Sequence, residues 1–169
     1  MKNIVLVGLM GAGKSSVGMK LADLLTYEFL DTDNIIETQQ GQSINDIFAT
    51  HGELSFRKLE NSVISDLGNL ENKIISTGGG SVENIENLNV LKVNGFIVYL
   101  KASPEGLFER IKNQTNRPLL QNENPLNTLQ ILLERREKNY LLADYVVDTM
   151  GKDVDAVARE IIKVYNENA

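Results

Sequence analysis

A glycine-rich segment near the start of the chain limits the possible folds more than any other part of the sequence. Residues 8–15 read Gly-Leu-Met-Gly-Ala-Gly-Lys-Ser and follow the short apolar run Asn3–Val7. The pattern G-x-x-x-x-G-K-S between a strand and a helix is typical of a P-loop. Its glycines let successive backbone N–H groups turn inward around an anion, and the positive end of the next helix adds to the attraction. The alternative is a purely structural glycine turn.

The residues of this segment have distinct expected roles. Lys14 is placed to reach the β- and γ-phosphates of a nucleotide, and the Ser15 hydroxyl is placed to ligate Mg²⁺. We therefore predict binding of a nucleoside triphosphate together with Mg²⁺. The predicted phosphate-binding residues are Gly11, Ala12, Gly13, Lys14, Ser15 and Ser16. The pattern does not identify the molecule that receives the phosphate.

Short apolar runs alternate with longer amphipathic stretches, which is typical of βα units around a parallel sheet. The predicted strands are 3–7, 29–31, 73–76, 95–100 and 145–148. The predicted helices are 13–26, 33–40, 43–48, 52–67, 83–90, 104–112, 124–143 and 154–166. We therefore predict an α/β fold, in which ligands bind in the loops beyond the carboxyl ends of the strands.

The composition narrows the class of protein. The chain has 169 residues and a net charge of −6 without any run of Lys and Arg, so we expect no nucleic-acid partner. No apolar run is long enough to span a membrane, and the run in MKNIVLVG is too short for a signal peptide. The absence of cysteine fits a reducing compartment. We expect one cytoplasmic, monomeric domain over residues 1–169.

Two acids follow the second predicted strand, where the sequence reads Asp31-Thr32-Asp33. P-loop proteins commonly place an acid at a strand end to help hold the metal, so Asp31 is a candidate for that position. Asp33 is a candidate to hydrogen-bond an acceptor hydroxyl and to take its proton. The alternative is that one of the two acids only caps the helix that follows.

Two arginines are candidates for binding anionic groups. Arg57 lies beside Glu60 in a predicted helix, and its planar guanidinium can pair with a carboxylate through two hydrogen bonds. Glu60 either holds Arg57 in position or is a solvated neighbour. Arg117 precedes Pro118 in a long polar loop, and a mobile lid at about residues 113–124 could bring it to the transferring phosphate. Each arginine is alternatively an ordinary surface charge.

Three consecutive glycines follow the strand predicted at 73–76, in the stretch Ser-Thr-Gly-Gly-Gly-Ser at residues 76–81. Ordering glycine is entropically costly, so a run of three requires an explanation. One interpretation is a flexible turn. The other is that some group approaches the backbone so closely that no side chain fits there.

Taken together, these segments resemble the shikimate kinase family. GLMGAGKSS, DTD, FRKLE, TGGGS, RPLL and RREKNYLLAD stand in the order and spacing seen in that family, from Lys2 to about Asp148. The resemblance implies a five-stranded parallel sheet flanked by helices, as in a P-loop nucleoside monophosphate kinase with a mobile lid. It also implies transfer of the γ-phosphate of ATP to the 3-hydroxyl of shikimate, a step in aromatic amino acid biosynthesis.

The resemblance also implies roles for individual residues. The matching catalytic residues are Lys14, Asp33 and Arg117, and Ser15 and Asp31 match the metal side. Arg110 matches an adenine-side arginine. The matching shikimate-binding residues are Asp33 on the hydroxyls, Arg57 and Arg136 on the carboxylate, and the backbone of Gly79 and Gly80. In this interpretation the glycine run lets main-chain N–H groups reach shikimate.

The chain departs from the family pattern in places. Lys138-Asn139 stands where the family often has proline and leucine, and residues 149–153 (TMGKD) lack the arginine and proline that often border the adenine. Nucleotide selectivity is therefore open. Arg136 is matched by its position four residues before Tyr140, so its neighbour Arg135 is an alternative.

Two other functions are open at this point. A gluconate kinase also binds a carboxylate with hydroxyls, but the joint presence of FRKLE, TGGGS and RPLL argues against it. A nucleotide-binding regulatory module without catalysis is the second alternative. It is disfavoured because every polar group expected for catalysis is present.

Overall fold

The computed structural model describes residues 2–113 and 124–168. Its strands are β1 (Asn3–Val7), β2 (Glu28–Asp31), β3 (Lys73–Ser76), β4 (Gly95–Lys101) and β5 (Tyr145–Asp148). They form one parallel sheet in the order β2-β3-β1-β4-β5. The predicted α/β class with five parallel strands is confirmed, and only β2 and β4 differ from the predicted bounds, by one residue each.

The helices are α1 (Lys14–Leu25), α2 (Thr32–Gln40), α3 (Ile44–Leu67), α4 (Ile85–Val93), α5 (Pro104–Ile111), α6 (Pro125–Tyr140) and α7 (Val154–Asn168). The two helices predicted at 43–48 and 52–67 are joined in α3, which Gly52 interrupts with a non-helical φ of 76°. Within residues 2–113 and 124–168, no helix is both long enough and apolar enough to cross a membrane.

The start of α4 corrects one prediction. Residues Ser81–Glu83 form a short 3₁₀ turn, and α4 begins at Ile85 rather than at Glu83. The cause is Asn84, whose side chain accepts a hydrogen bond from the N–H of Glu86 at 3.1 Å and so caps the helix. Glu83 therefore lies outside the helix in which the sequence placed it.

The central strands explain the apolar runs of the sequence. Every residue of β1 is buried, and so is every residue of β4 except Lys101 at its end. Strands of a parallel sheet are covered on both faces, so they appear as nearly continuous apolar runs rather than alternating patterns. The core therefore lies along β1 and β4, directly beneath the loops that carry the candidate site.

The parallel topology brings the candidate segments to one edge of the sheet. Ser76 at the end of β3 pairs in register with Leu6 of β1 on one side and with Asp31 of β2 on the other. The P-loop follows β1, Asp33 follows β2, and the three glycines follow β3. Because ligands of such sheets bind beyond the carboxyl ends of the strands, these loops are at the expected position for a site.

The beginning of α2 settles which acid acts as a cap. Oδ1 of Asp31 accepts hydrogen bonds from the N–H groups of Asp33 (3.0 Å) and Asn34 (3.3 Å). The helix therefore begins at Thr32, one residue before the predicted start. The capping role belongs to Asp31, which leaves the side chain of Asp33 available for other contacts.

Asn3 is a buried polar residue that ties the start of β1 to the segment leading into β3. Its Nδ2 donates to the Leu70 carbonyl oxygen at 2.7 Å, and its Oδ1 accepts from the Lys73 N–H at 2.9 Å. The residue is 1% exposed, so these hydrogen bonds are shielded from water on the side of Asn3.

We expect Asn3→Ala to lower the free energy of unfolding by about 2–3 kcal/mol, because it leaves one acceptor and one donor unpaired. Urea denaturation followed by circular dichroism measures this loss. The matched control is Asn69→Ala, which removes a single exposed hydrogen bond to the Ser65 carbonyl oxygen. Equal losses in the two variants would contradict the assigned role of Asn3.

Candidate active site

The P-loop has the backbone conformation that its glycines predict. Gly11 and Gly13 have φ angles of 81° and 94°, in the left-handed region that other residues rarely adopt. A β-carbon at Gly11 would also lie only 2.9 Å from Cγ2 of Ile111. The loop leads directly into α1, so its N–H groups lie at the positive end of that helix. One of them, the N–H of Ala12, donates within the loop to the Leu9 carbonyl oxygen at 3.1 Å.

Lys14 and Ser15 lie at the first positions of α1. The Lys14 ammonium group donates to the carbonyl oxygens of Gly8 (2.7 Å) and Leu9 (3.2 Å). The Ser15 hydroxyl lies 3.3 Å from Oδ2 of Asp31. Asp31 thus uses one oxygen to cap α2 and turns the other toward Ser15. Hydroxyl and carboxylate oxygens are suitable Mg²⁺ ligands, so this pair fits the predicted metal position.

A cavity of about 580 Å³ lies beside the P-loop. This volume is within the range of about 300–1,000 Å³ that is typical of ligand pockets. The lining residues are Met10, Gly11, Ala12, Gly13, Lys14, Ser15, Ser16, Val17, Asp31, Asp33, Ser76, Thr77, Gly78, Gly79, Arg110, Ile111, Thr149, Lys152, Asp153, Val154 and Val157. The P-loop, Asp33 and two of the three glycines therefore share one space.

Asp33 lies in this cavity with one oxygen that has no hydrogen-bond partner. Oδ1 is fully buried, and no donor reaches it within the described residues. Burial and the nearby charge of Asp31 raise the pKa of Asp33, and the positive charges of Lys14 and Arg57 oppose the shift. Buried polar atoms nearly always have a partner, so the unpaired oxygen of Asp33 is exceptional and requires an explanation.

Arg57 is held by two glutamates on its own helix. Its Nη1 donates to Oε2 of Glu60 at 2.8 Å, and its Nη2 donates to Oε1 of Glu53 at 3.3 Å. Glu60 is 1% exposed, so it is not the solvated neighbour of the alternative interpretation. Burial raises the pKa of Glu60 although Arg57 opposes the shift. Its other oxygen, Oε1, has no hydrogen-bond partner within residues 2–113 and 124–168.

The three glycines face charged side chains. A β-carbon at Gly78 would lie 2.9 Å from Oδ1 of Asp33 and 2.9 Å from Oε1 of Glu60. A β-carbon at Gly80 would lie 2.8 Å from Nη1 of Arg57. The run is therefore a place of close approach rather than a flexible turn. The sequence predicted that a ligand approaches this backbone. The structure shows that side chains of the protein also approach it.

The two neighbouring arginines of α6 differ in burial. The side chain of Arg136 is 4% exposed, whereas that of Arg135 is 55% exposed. Nη1 of Arg136 lies 3.6 Å from the position that a β-carbon on Gly79 would occupy. Arg136, the residue matched from the sequence, is therefore the one beside the glycines.

Glu83 contacts both of these arginines. Its Oε1 accepts hydrogen bonds from Nε of Arg136 at 2.5 Å and from Nη2 of Arg135 at 2.7 Å. Partial burial opposes the shift, but these two hydrogen bonds hold the pKa of Glu83 below its usual value. Sequence reasoning did not identify Glu83, and its position three residues beyond the glycine run was the only available signal.

Arg110 lines the cavity beside the P-loop. Its Nη1 donates to Oγ1 of Thr149 (3.1 Å) and to the Gly11 carbonyl oxygen (3.3 Å), and its Nη2 donates to the Thr149 carbonyl oxygen (3.2 Å). Thr149 is a second residue that sequence reasoning missed. Lys152 lines the same cavity and pairs with Glu160 at 2.6 Å.

Of the predicted site residues, only Arg117 falls outside the described part of the chain, as do residues 114–123 of the predicted lid. The other residues are distributed along the P-loop, the cavity and the glycine run. Separate segments of the chain therefore supply the candidate site, namely the loops after β1 and β3, the junction of β2 with α2, and the helices α3, α5 and α6.

Comparisons with known proteins point to one family. The family model described as shikimate kinase matches residues 10–166. The shikimate kinase of Caldanaerobacter subterraneus subsp. tengcongensis is 46% identical over 165 residues, which are 98% of this chain and 96% of that protein. A solved structure of the shikimate kinase from Acinetobacter baumannii in complex with shikimate is 40% identical, with a TM-score of 0.95 over 99% of this chain and 94% of that one.

A gluconokinase from Sinorhizobium meliloti has a similar structure, with a TM-score of 0.65 over 99% of this chain and 93% of that one. It is only 22% identical, so this likeness shows a common fold and nothing about the acceptor.

Proposed function

The chain belongs to the shikimate kinase family, and we propose that it transfers the γ-phosphoryl group of ATP to the 3-hydroxyl group of shikimate. The products would be shikimate 3-phosphate and ADP, within aromatic amino acid biosynthesis. The observation that carries the proposal for this site is the position of Asp33, which lines the same cavity as Lys14 and whose buried Oδ1 has no partner in the described residues. An acceptor hydroxyl supplies the missing donor.

At the nucleotide end, the backbone of residues 11–16 and the Lys14 ammonium group bind the phosphates of ATP. Arg110, fixed on Thr149, borders the adenine. Ser15 and Asp31 would hold Mg²⁺, which supplies charge neutralisation on the phosphate oxygens when it is bound. The proximity of the Ser15 hydroxyl to Asp31, at 3.3 Å, supports this assignment.

At the acceptor end, Arg57 and Arg136 bind the carboxylate of shikimate, and Asp33 binds its hydroxyl groups. Guanidinium groups suit this task because they present parallel N–H donors to a carboxylate. The backbone N–H groups of Gly79 and Gly80 complete the pocket. Anchoring the carboxylate in this way leaves one hydroxyl directed at the γ-phosphate, and positioning is the main requirement of phosphoryl transfer.

The chemical step follows from these positions. The 3-oxygen of shikimate forms a bond to the γ-phosphorus while the bond to the β–γ bridging oxygen breaks. The hydroxyl proton passes to the carboxylate of Asp33, and ADP leaves. The raised pKa of Asp33 suits this role, because a stronger base accepts the proton more readily.

Arg117 and the lid enter this proposal from the sequence alone. We expect the lid to exclude water, which otherwise competes as an acceptor, and Arg117 to stabilise the charge on the transferring phosphate. A single monomeric, cytoplasmic unit without nucleic-acid or membrane partners is likewise an expectation from the sequence.

The acceptor is tested by measuring ADP release from Mg-ATP with shikimate, with gluconate, with a panel of nucleoside monophosphates or without acceptor. We expect stimulation by shikimate alone. Stimulation by another acceptor would keep the kinase chemistry and overturn the assigned pocket. Equal, slow release in every reaction would favour a nucleotide-binding module without transfer activity.

We expect Asp33→Asn to lower kcat by roughly 10²–10⁴-fold, because the amide no longer accepts the hydroxyl proton. Steady-state kinetics with shikimate measure kcat. Equilibrium binding of a fluorescent ATP analogue measures nucleotide affinity, which should not change. Asp46→Asn is the control, since it neutralises an exposed acid at the start of α3. Near-normal turnover of Asp33→Asn would remove this residue from the catalytic role.

We expect Arg57→Ala to raise the KM for shikimate roughly 10- to 100-fold, because hydrogen bonds between charged groups are lost at the carboxylate. The KM for ATP should change little. Arg159→Ala is the matched control, because it removes an exposed arginine of α7 that pairs with Asp155 at 2.6 Å. An unchanged KM for shikimate in Arg57→Ala would rule out the carboxylate anchor.

A further inference from the structure

Two neighbouring arginines donate to a single oxygen of Glu83 through different nitrogens. Arg136 uses Nε at 2.5 Å, and Arg135 uses Nη2 at 2.7 Å. A guanidinium carries five N–H donors in a fixed plane, so the nitrogen that is engaged determines which edge remains for another anion. Contact through Nε leaves both terminal nitrogens of Arg136 clear of Glu83, whereas Arg135 uses one of its terminal nitrogens for that contact.

The surroundings distinguish the two arginines in the same way. Arg136 is almost fully buried, and its Nη1 lies beside Gly79. Arg135 is mostly exposed, so water competes for its remaining donors. The terminal edge of Arg136 is therefore the better site for a carboxylate.

We propose that Glu83 is a positioning residue that orients these two arginines differently. As a result, Arg136 rather than Arg135 presents its terminal nitrogens to the acceptor carboxylate. The inference rests on the proposed function, because it concerns the acceptor pocket of that reaction. Glu83 acts through Arg136 and takes no part in the chemical step.

The backbone around Glu83 supports this role. The N–H of Glu83 donates to the Gly80 carbonyl oxygen at 3.1 Å, and the N–H of Ser81 donates to the Gly78 carbonyl oxygen at 3.1 Å. Glu83 is thus fixed directly on the glycine run that borders the acceptor pocket. Its carboxylate therefore holds Arg136 at a fixed position relative to that run.

Removal of Glu83 should not release α6, because two further contacts hold this helix to the same segment. The Tyr140 hydroxyl donates to the Gly79 carbonyl oxygen at 2.5 Å, and Nδ2 of Asn139 donates to the Val82 carbonyl oxygen at 2.8 Å. Variants at Glu83 are therefore expected to fold, which makes the proposal testable by kinetics.

The charges around Arg136 predict the direction of the effect. Besides Glu83, Glu60 of α3 also attracts Arg136, and its Oε1 has no hydrogen-bond partner within the described residues. Without Glu83, the guanidinium is drawn toward Glu60 and away from the position for a carboxylate. Loss of Glu83 should therefore weaken acceptor binding rather than strengthen it.

We expect Glu83→Gln and Glu83→Ala to raise the KM for shikimate roughly 5- to 20-fold, as for the loss of one partly exposed charged hydrogen bond. The kcat and the KM for ATP should stay within about twofold, a separation that a merely structural role does not produce. Glu86→Gln is the matched control, since it removes an exposed acid three residues further along. Thermal unfolding verifies that each variant is folded.

A double-mutant cycle decides which arginine carries the effect. In an Arg136→Ala background, Glu83→Gln should change kcat/KM for shikimate no further, whereas in an Arg135→Ala background its full effect should persist. An unchanged or lowered KM in the single variants would overturn the proposal, and so would an effect that disappears with Arg135→Ala. Absence of shikimate-dependent turnover in the unmodified protein would instead overturn the proposed function itself.

Discussion

The proposed acceptor end of the site depends on two α-carbons that carry no side chain, those of Gly78 and Gly80. A β-carbon at Gly78 or Gly80 would come within 3 Å of Asp33, Glu60 or Arg57. Ordering glycine instead of alanine costs about 0.5–1 kcal/mol per residue. A side chain at Gly78 or Gly80 would force these charged groups to move. Charged side chains from α2, α3 and α6 meet at this short stretch of backbone. The proposed acceptor contacts depend on this arrangement.

The ion pairs around this backbone fix geometry more than they stabilise the fold. Removing two charges from water often costs as much as their attraction returns. Glu60 illustrates this balance, because burial raises its pKa in spite of the adjacent Arg57. Stability must therefore come from elsewhere, chiefly from the buried strands β1 and β4. Burial of these apolar strands offsets the cost of a pocket at the edge of the sheet in which buried carboxylate oxygens have no hydrogen-bond partner in the described residues.

The sequence predicted features that are local in the chain. All five strands, the P-loop and the pair Asp31 and Asp33 each lie within a few consecutive residues, so spacing alone revealed them. The contact between Glu83 and Arg136 joins residues 53 positions apart, which no local pattern reports. The capping role of Asp31 was also open, because two acids near a helix start are equivalent until the backbone selects one. Arg117 stays a prediction from the sequence.

Gly79 connects the two halves of the site. A β-carbon there would lie 3.6 Å from the P-loop atoms Gly8 O and Met10 N, and equally 3.6 Å from Nη1 of Arg136. The preceding strand end is fixed to β1, because the N–H of Thr77 donates to the Leu6 carbonyl oxygen at 3.2 Å. The P-loop and Arg136 therefore meet at Gly79. The proposed in-line transfer requires that these two positions agree closely, and Gly79, which follows the strand end held to β1 through Thr77, lies beside both.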